Sequence, residues 1–209
     1  MKLSEVSKMP GKSWALNAGP PICPGALAAD GKLTDVCEIC YARRGRYRMP
    51  VVKEFRRKNL KHFLNTGREA WVEHMARLIR REDWFRWFDG GDIVNEEMAR
   101  RIYEVCKATP TVRHWIPTKS YKFKLRRKWL IKMHKLPNVC VRSSSDTIDG
   151  NWVNQTNHFG PVGCKTMVMR EGVLIPTNAR ICPAYKQDGE CGECRMCWDK
   201  DDAVVYPEH

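Results

Sequence analysis

The sequence predicts an α/β fold: a partial, barrel-like (β/α) parallel sheet with cysteine-rich loop segments at its N- and C-terminal ends. Between residues 84 and 142, strand-like and helix-like stretches alternate as β-α-β-α-β, and connections of that length imply right-handed crossovers in a parallel sheet. The 209 residues can bury one sizeable core, yet they fall short of the roughly 250 that a complete eight-fold barrel takes. Ten cysteines concentrate toward the two ends of the chain. One domain, 1–209, is expected, with a cysteine-rich segment 1–50, a β/α core 51–160 and a second cysteine-rich segment 161–209.

Gly19-Pro20-Pro21 and Cys23-Pro24-Gly25 punctuate the first segment, which lacks long periodic runs and reads as loop. Helical spacing then runs from Val51 to about Arg81, broken at Asn65-Thr66-Gly67, with Thr66 placed to cap the second helix and Trp71, Val72, Met75, Leu78 and Ile79 on its apolar face. Trp84 to Phe88 is an aromatic strand that must turn at Asp89-Gly90-Gly91-Asp92. Asn95 offers a helix cap, Glu96 and Glu97 suit the positive helix start, and the helix ends before Pro110. A strand from Val112 to Ile116, a basic helix from Lys122 to Leu136 and a strand from Asn138 to Arg142 follow, the last ending in a loop, Ser143 to Asp146. A hairpin is expected from Lys165 to Met169 and Val173 to Ile175.

Charged residues are 29% of the chain and hydrophobic ones 43%, a balance that excludes disorder. No stretch approaches the roughly 18 apolar residues of a membrane span, and Met1 to Asn17 has no signal-peptide core, so a cytoplasmic protein with no membrane partner is expected. The net charge of +13 favours polyanionic partners such as DNA or RNA. The helix from Lys122 to Leu136, with seven cations among Phe123, Leu125, Trp129, Leu130 and Met133, would lie along a phosphate backbone or else pack its apolar side on the sheet. The six histidines form no metal-protease pattern, and no phosphate loop or nucleophile elbow is present.

In a cytoplasmic chain thiols stay reduced, so clustered cysteines point to metal ligation. Cys182-x8-Cys191-x2-Cys194-x2-Cys197 places four thiolates within sixteen residues. Closely spaced thiolates wrap the corners of a four-iron, four-sulfide (4Fe-4S) cluster, whereas four-cysteine zinc sites usually present two separated pairs. Cys23-x13-Cys37-x2-Cys40 supplies three ligands, which leaves one coordination position open for a substrate or cofactor. One cluster or two are therefore expected. Cys106 and Cys140 read as core, and Cys164 as a spare ligand. In a parallel α/β fold the loops after the strands form the active face, which makes Gly90, Gly91, Asp92, Lys119 and Ser144 candidate cofactor contacts.

Cys23-Pro24-Gly25, Cys37-Glu38-Ile39-Cys40-Tyr41-Ala42, Asp89-Gly90-Gly91-Asp92, Thr118-Lys119-Ser120 and Cys191-Gly192-Glu193-Cys194-Arg195-Met196-Cys197-Trp198 together resemble the phage protein family called gene product eighty-eight. More distantly, Cys37-x2-Cys40-Tyr41-Ala42-Arg43 resembles the cluster loop of radical SAM enzymes of the spore photoproduct lyase type, and Gly90-Gly91-Asp92 resembles their Gly-Gly-Glu motif. That resemblance implies a reduced radical SAM core, a three-cysteine cluster that binds S-adenosylmethionine, and a Gly-Gly-Asp loop at the methionine amino group. Thirteen residues separate Cys23 from Cys37, where that superfamily usually has three. The expected function is redox or radical chemistry related to nucleic acid. The rival is a non-catalytic nucleic-acid-binding protein in which iron-sulfur or zinc sites only staple the loops.

Overall fold

The computed structural model describes residues 2–149, 164–170, 172–200 and 203–208. Its eight strands are β1 (Ser4–Glu5), β2 (Lys12–Trp14), β3 (Trp84–Trp87), β4 (Arg113–Thr118), β5 (Val139–Ile148), β6 (Lys165–Met169), β7 (Ala179–Ile181) and β8 (Ala203–Pro207). They form one sheet in the order β1-β2-β3-β4-β5-β6-β8-β7. Among the described strands only the β1–β2 pair is antiparallel. β1 and β7 are the two edges, so the described strands do not close a barrel.

The α-helices among the described residues are α1 (Asp35–Glu38), α2 (Pro50–Asn65), α3 (Arg68–Ile79), α4 (Glu96–Ala108) and α5 (Lys124–His134). α4 starts where its sequence predicts, with Asn95 Oδ1 accepting from the Met98 N–H at 2.9 Å. α3 does not: its cap is Gly67 with no side-chain bond, while the Thr66 carbonyl accepts from Arg101 Nη1 at 2.8 Å.

Strand alternation sorts side chains onto two faces. Phe85, Trp87, Ile116, Val139 and Val141 join Trp71, Met75, Ile79, Met98, Ile102 and Val105 in the main core under the helices. Each of these fully buried large side chains contributes about 2 kcal/mol of apolar transfer. The alternate residues, Trp115 among them, meet the C-terminal cysteine segment through Cys197 and Trp198. That segment therefore covers the second face of the sheet.

Three expectations are corrected. The first fifty residues are not all loop, because β2 joins the sheet beside β3 and becomes its first parallel strand. Ser143, Ser144 and Ser145 lie within β5, where Ser143 pairs with both Thr118 and Lys165. The hairpin is not formed: β6 runs parallel to β5 on one side and to β8 on the other, which occupies both of its hydrogen-bonding edges. The end of the expected core, 150–160, and residue 171 of the expected turn lie outside the described residues.

Candidate functional site

A cavity of about 410 Å³ opens at the carboxyl ends of the parallel strands. Cys23, Cys37 and Cys40 reach it from the segment after β2, Gly90, Gly91 and Asp92 from the loop after β3, Lys119 from the end of β4, and Ser144 from β5. The five residues predicted as contacts on this face and the three cysteines of the first set line the one cavity.

Close backbone approaches hold the loops together. Gly91 has φ +82°, and a Cβ there would stand 2.6 Å from that of Leu16; the Leu16 N–H donates to the Gly90 carbonyl at 2.9 Å. Gly25 lets the Cys23-Pro24-Gly25 turn lie on Lys119, since a Cβ would come within 2.6 Å of the Lys119 Cβ.

Asp92 serves the protein itself. Its carboxylate accepts from Thr118 Oγ1 at 2.6 Å, the Lys119 N–H at 2.9 Å and the Ile93 N–H at 2.7 Å. Burial pushes its pKa up, and these bonds oppose the push. Asp92 thus ties the loop after β3 to the end of β4. Lys119 Nζ donates to the Ser145 carbonyl and pairs with Asp146 at 3.1 Å, and Lys122 takes the other Asp146 oxygen at 2.6 Å.

Sequence reasoning missed several wall residues. Asp89, in the loop after β3, holds a buried ion pair with Arg56 at 2.7 Å and accepts from Ser13 Oγ at 2.5 Å. Arg86 donates to Tyr41 Oη at 2.6 Å and lies 4.3 Å from the Trp115 ring centre. Burial opposes its charge, but Tyr41 and Asp89 more than compensate, and its pKa is raised. Arg86 Nε and Trp115 Nε1 are buried donors without an acceptor among the described residues, and both residues line the cavity. The available signal was a cation at an alternating position in Trp84-Phe85-Arg86-Trp87, on the face opposite the core.

Tyr41, Arg86, Asp89, Trp115 and Tyr206 also line a second cavity, of about 880 Å³, together with Cys182, Cys191 and Cys197. Cys194 is outside that lining, in the same turn. Here Arg142, fully buried, donates through Nε to the Cys197 carbonyl at 2.9 Å, through Nη2 to the Met196 carbonyl at 2.5 Å and to the Asp199 carbonyl. The cation clamps the backbone around the last cysteine.

Within each set the thiols feel one another's charge. Burial pushes Cys23 up to about 12, with Asp92, Cys40 and Cys37 adding to the shift and the Gly19 N–H opposing it. Burial also raises Cys40, Cys182 and Cys191, and takes Cys197 up to about 11 against a 3.1 Å contact with Tyr206 Oη. Among the described residues no three His, Cys, Asp or Glu side chains are gathered tightly enough to hold a single metal ion. Cys106 and Cys140 are buried, as expected. Cys164 belongs to neither set: it is buried beside Cys140, with His134 Nδ1 at 3.6 Å.

The cations of the expected phosphate-binding helix are partly committed. Lys122 donates to the Gly25 carbonyl, Arg126 to the Val94 carbonyl, and Lys128 pairs with Glu96. Arg43, Arg44, Arg46 and Arg48 in the cysteine segment are exposed; Arg46 lines the second cavity, while Arg43 and Arg44 donate to the Cys37 and Glu38 carbonyls. No helix among the described residues is long and apolar enough to cross a membrane. A family model described as Gene product 88 matches residues 2–200. No curated protein and no solved structure matches the chain.

Proposed function

The chain belongs to the gene product 88 family of phage proteins, and we propose that it is an iron-sulfur protein with two cysteine-held sites, one open to a ligand and one closed. Cys23, Cys37 and Cys40 would hold a 4Fe-4S cluster at the cavity, leaving an iron position free for S-adenosylmethionine or another ligand. Cys182, Cys191, Cys194 and Cys197 would hold a second cluster with every position taken by protein. When bound, such clusters supply one-electron redox chemistry.

The observation that carries this reading is the convergence of three cysteines, the Gly-Gly-Asp loop, Lys119 and Ser144 on one cavity, from successive parallel strands. The cysteines follow the first parallel strand and Gly90-Gly91 the second, an order that suits a ligand held between the two loops, while the family match is to gene product 88 and not to radical SAM enzymes. The donor sets fit an iron-sulfur group: they are all thiols, and a cubane places each thiolate on a different iron, which asks for wider spacing than one tetrahedral ion. The unmatched Arg86 and Trp115 donors suit an anionic or acceptor-bearing occupant.

Asp92 refines the proposal, because its oxygens already serve Thr118, Ile93 and Lys119. In this reading the Gly90 and Gly91 backbone, with Ser144, carries the ligand contacts. The exposed cations of the cysteine segment, with Arg46 on the wall of the second cavity, suit a nucleic-acid substrate.

The test is anaerobic purification with iron, sulfide and zinc counted per chain, followed by electron paramagnetic resonance with and without S-adenosylmethionine. About eight irons, from two four-iron clusters, and a spectrum that changes on adding the ligand are expected. Zinc without sulfide would overturn the proposal. Iron with an unchanged spectrum would favour purely structural sites, and DNA or RNA binding that weakens with salt would then be the remaining activity.

A further inference from the structure

The residues next in sequence to a cysteine of each set are joined by an unbroken line of ring and guanidinium contacts. Cys197 is followed by Trp198, whose ring centre lies 5.3 Å from that of Trp115. Trp115 lies under the Arg86 guanidinium at 4.3 Å, and Arg86 donates to Tyr41 Oη at 2.6 Å. Tyr41 directly follows Cys40. Trp115, Arg86 and Tyr41 are also shared walls of the two cavities.

We infer that Trp198, Trp115, Arg86 and Tyr41 form a relay that passes single electrons between the C-terminal cysteine site and the cavity site. The inference rests on the two-cluster reading above and adds to it a direction of use: the closed site is the store, and the cavity site is where the electron is spent on the ligand. Each passage oxidises one site by one electron and reduces the other by one, and the supply comes from an external low-potential one-electron donor. No bond to the relay residues forms or breaks.

Several features suit this role. Trp198 is buried and pinned by its Nε1–H donating to the Phe85 carbonyl at 3.0 Å, and it packs edge-on against both Trp84 and Trp115. Rings held in this way keep a fixed spacing, as offset and edge-to-face aromatic contacts do. Arg86 is held from the other end, because Tyr41 Oη also donates to the Asp89 carbonyl at 3.1 Å. A fixed cation between two anionic thiolate sites lowers the electrostatic cost of placing negative charge on either. Trp115 is mostly excluded from solvent, so the central step is shielded from water.

The experiment is rapid-freeze electron paramagnetic resonance after mixing the whole, anaerobically purified protein with dithionite. Wild type is compared with Trp115→Leu, which removes the central ring, and Trp115→Phe, which keeps a smaller one. Tyr41→Leu cuts the last link at a side chain that is 53% exposed, so it leaves the core packing alone if Trp115→Leu does not fold. Iron is counted in every variant, and the lag is compared at equal iron per chain. In Trp115→Leu and Tyr41→Leu, the later-reducing site should lag by about tenfold more than in wild type, equivalent to about 1.4 kcal/mol on the barrier, with Trp115→Phe in between. Two reducible clusters with wild-type lag in both leucine variants would overturn the relay and leave the two-cluster reading standing. Fewer than two clusters in wild-type protein would overturn both.

Discussion

The two cysteine regions use opposite construction. Around Cys23, Cys37 and Cys40 the loops are tied to one another by Asp92, Asp89 and Lys119, and the thiols face a cavity. Around Cys197 a single buried cation, Arg142, gathers the carbonyls of Met196, Cys197 and Asp199, and Trp198 seals the turn against the sheet. Both sets line cavities, but the first arrangement fixes a rim through side chains of separate loops. The second fixes the ligand-bearing backbone itself. Under the proposed reading, the first construction would suit exchangeable chemistry and the second a permanent group.

The comparison is broken most directly at Arg142. Arg142→Met takes the charged donor from the Cys197 carbonyl and from the Met196 and Asp199 carbonyls, of which the last two keep the Asp199 N–H and Cys140 Sγ, and should cost at least about 3 kcal/mol, since bonds to charged groups contribute about 1.5–3 kcal/mol each. Denaturant midpoints measure this, and metal analysis should show loss from the C-terminal set with the cavity set retained. Equal loss from both would show that one support serves the two regions.

A smaller effect is expected on the cavity side. Gly91→Ala must hold a side chain at positive φ and push on Leu16, which together cost about 2 kcal/mol. Ligand-induced spectral change should weaken in this variant while the closed site is untouched.

The smallest effect is a pH dependence that belongs to neither region. His114 is buried on β4 and its pKa is lowered by burial to about 3. Below the unfolded value of about 6.5 the unfolded chain takes up a proton that the folded one refuses, so stability should fall as the pH drops from 7.5 to 5, by about 1–2 kcal/mol. Stability is unaffected by this group at higher pH. His114→Gln should flatten the dependence in denaturant titrations at the two pH values.

The sequence makes the central βα units legible because each carries several independent signals. Trp84 to Trp87 alternates, Asn95 caps with acids behind it, and Asp89-Gly90-Gly91-Asp92 marks the turn. β2 is invisible because three residues, Lys12-Ser13-Trp14, cannot show a period. The continuation of β5 through Ser143-Ser144-Ser145 runs against propensity, since serines favour loops; here the register with β4 and β6 overrides it. The cysteine sets and the Gly-Gly-Asp loop are readable as spacings. Arg86, Trp115, Tyr206 and Arg142 are not, because their roles depend on which face of a strand meets a segment far away in the chain.

The path between β7 and β8 carries a consequence for how the chain is completed. These two strands are neighbours and run parallel, and their connection contains Cys182, Cys191, Cys194 and Cys197 rather than a helix of ordinary length. In most parallel sheets a helix shortens the return journey; among the described residues here a single 3-10 turn, Pro183–Lys186, stands in its place. A group that gathered these four thiols would shorten the slack of that connection and reduce the entropy lost when β8 slots between β6 and β7. Maturation of the closed site and completion of the sheet would then be a single event during biogenesis, and starving the producing cell of iron would leave behind chains with an open sheet edge.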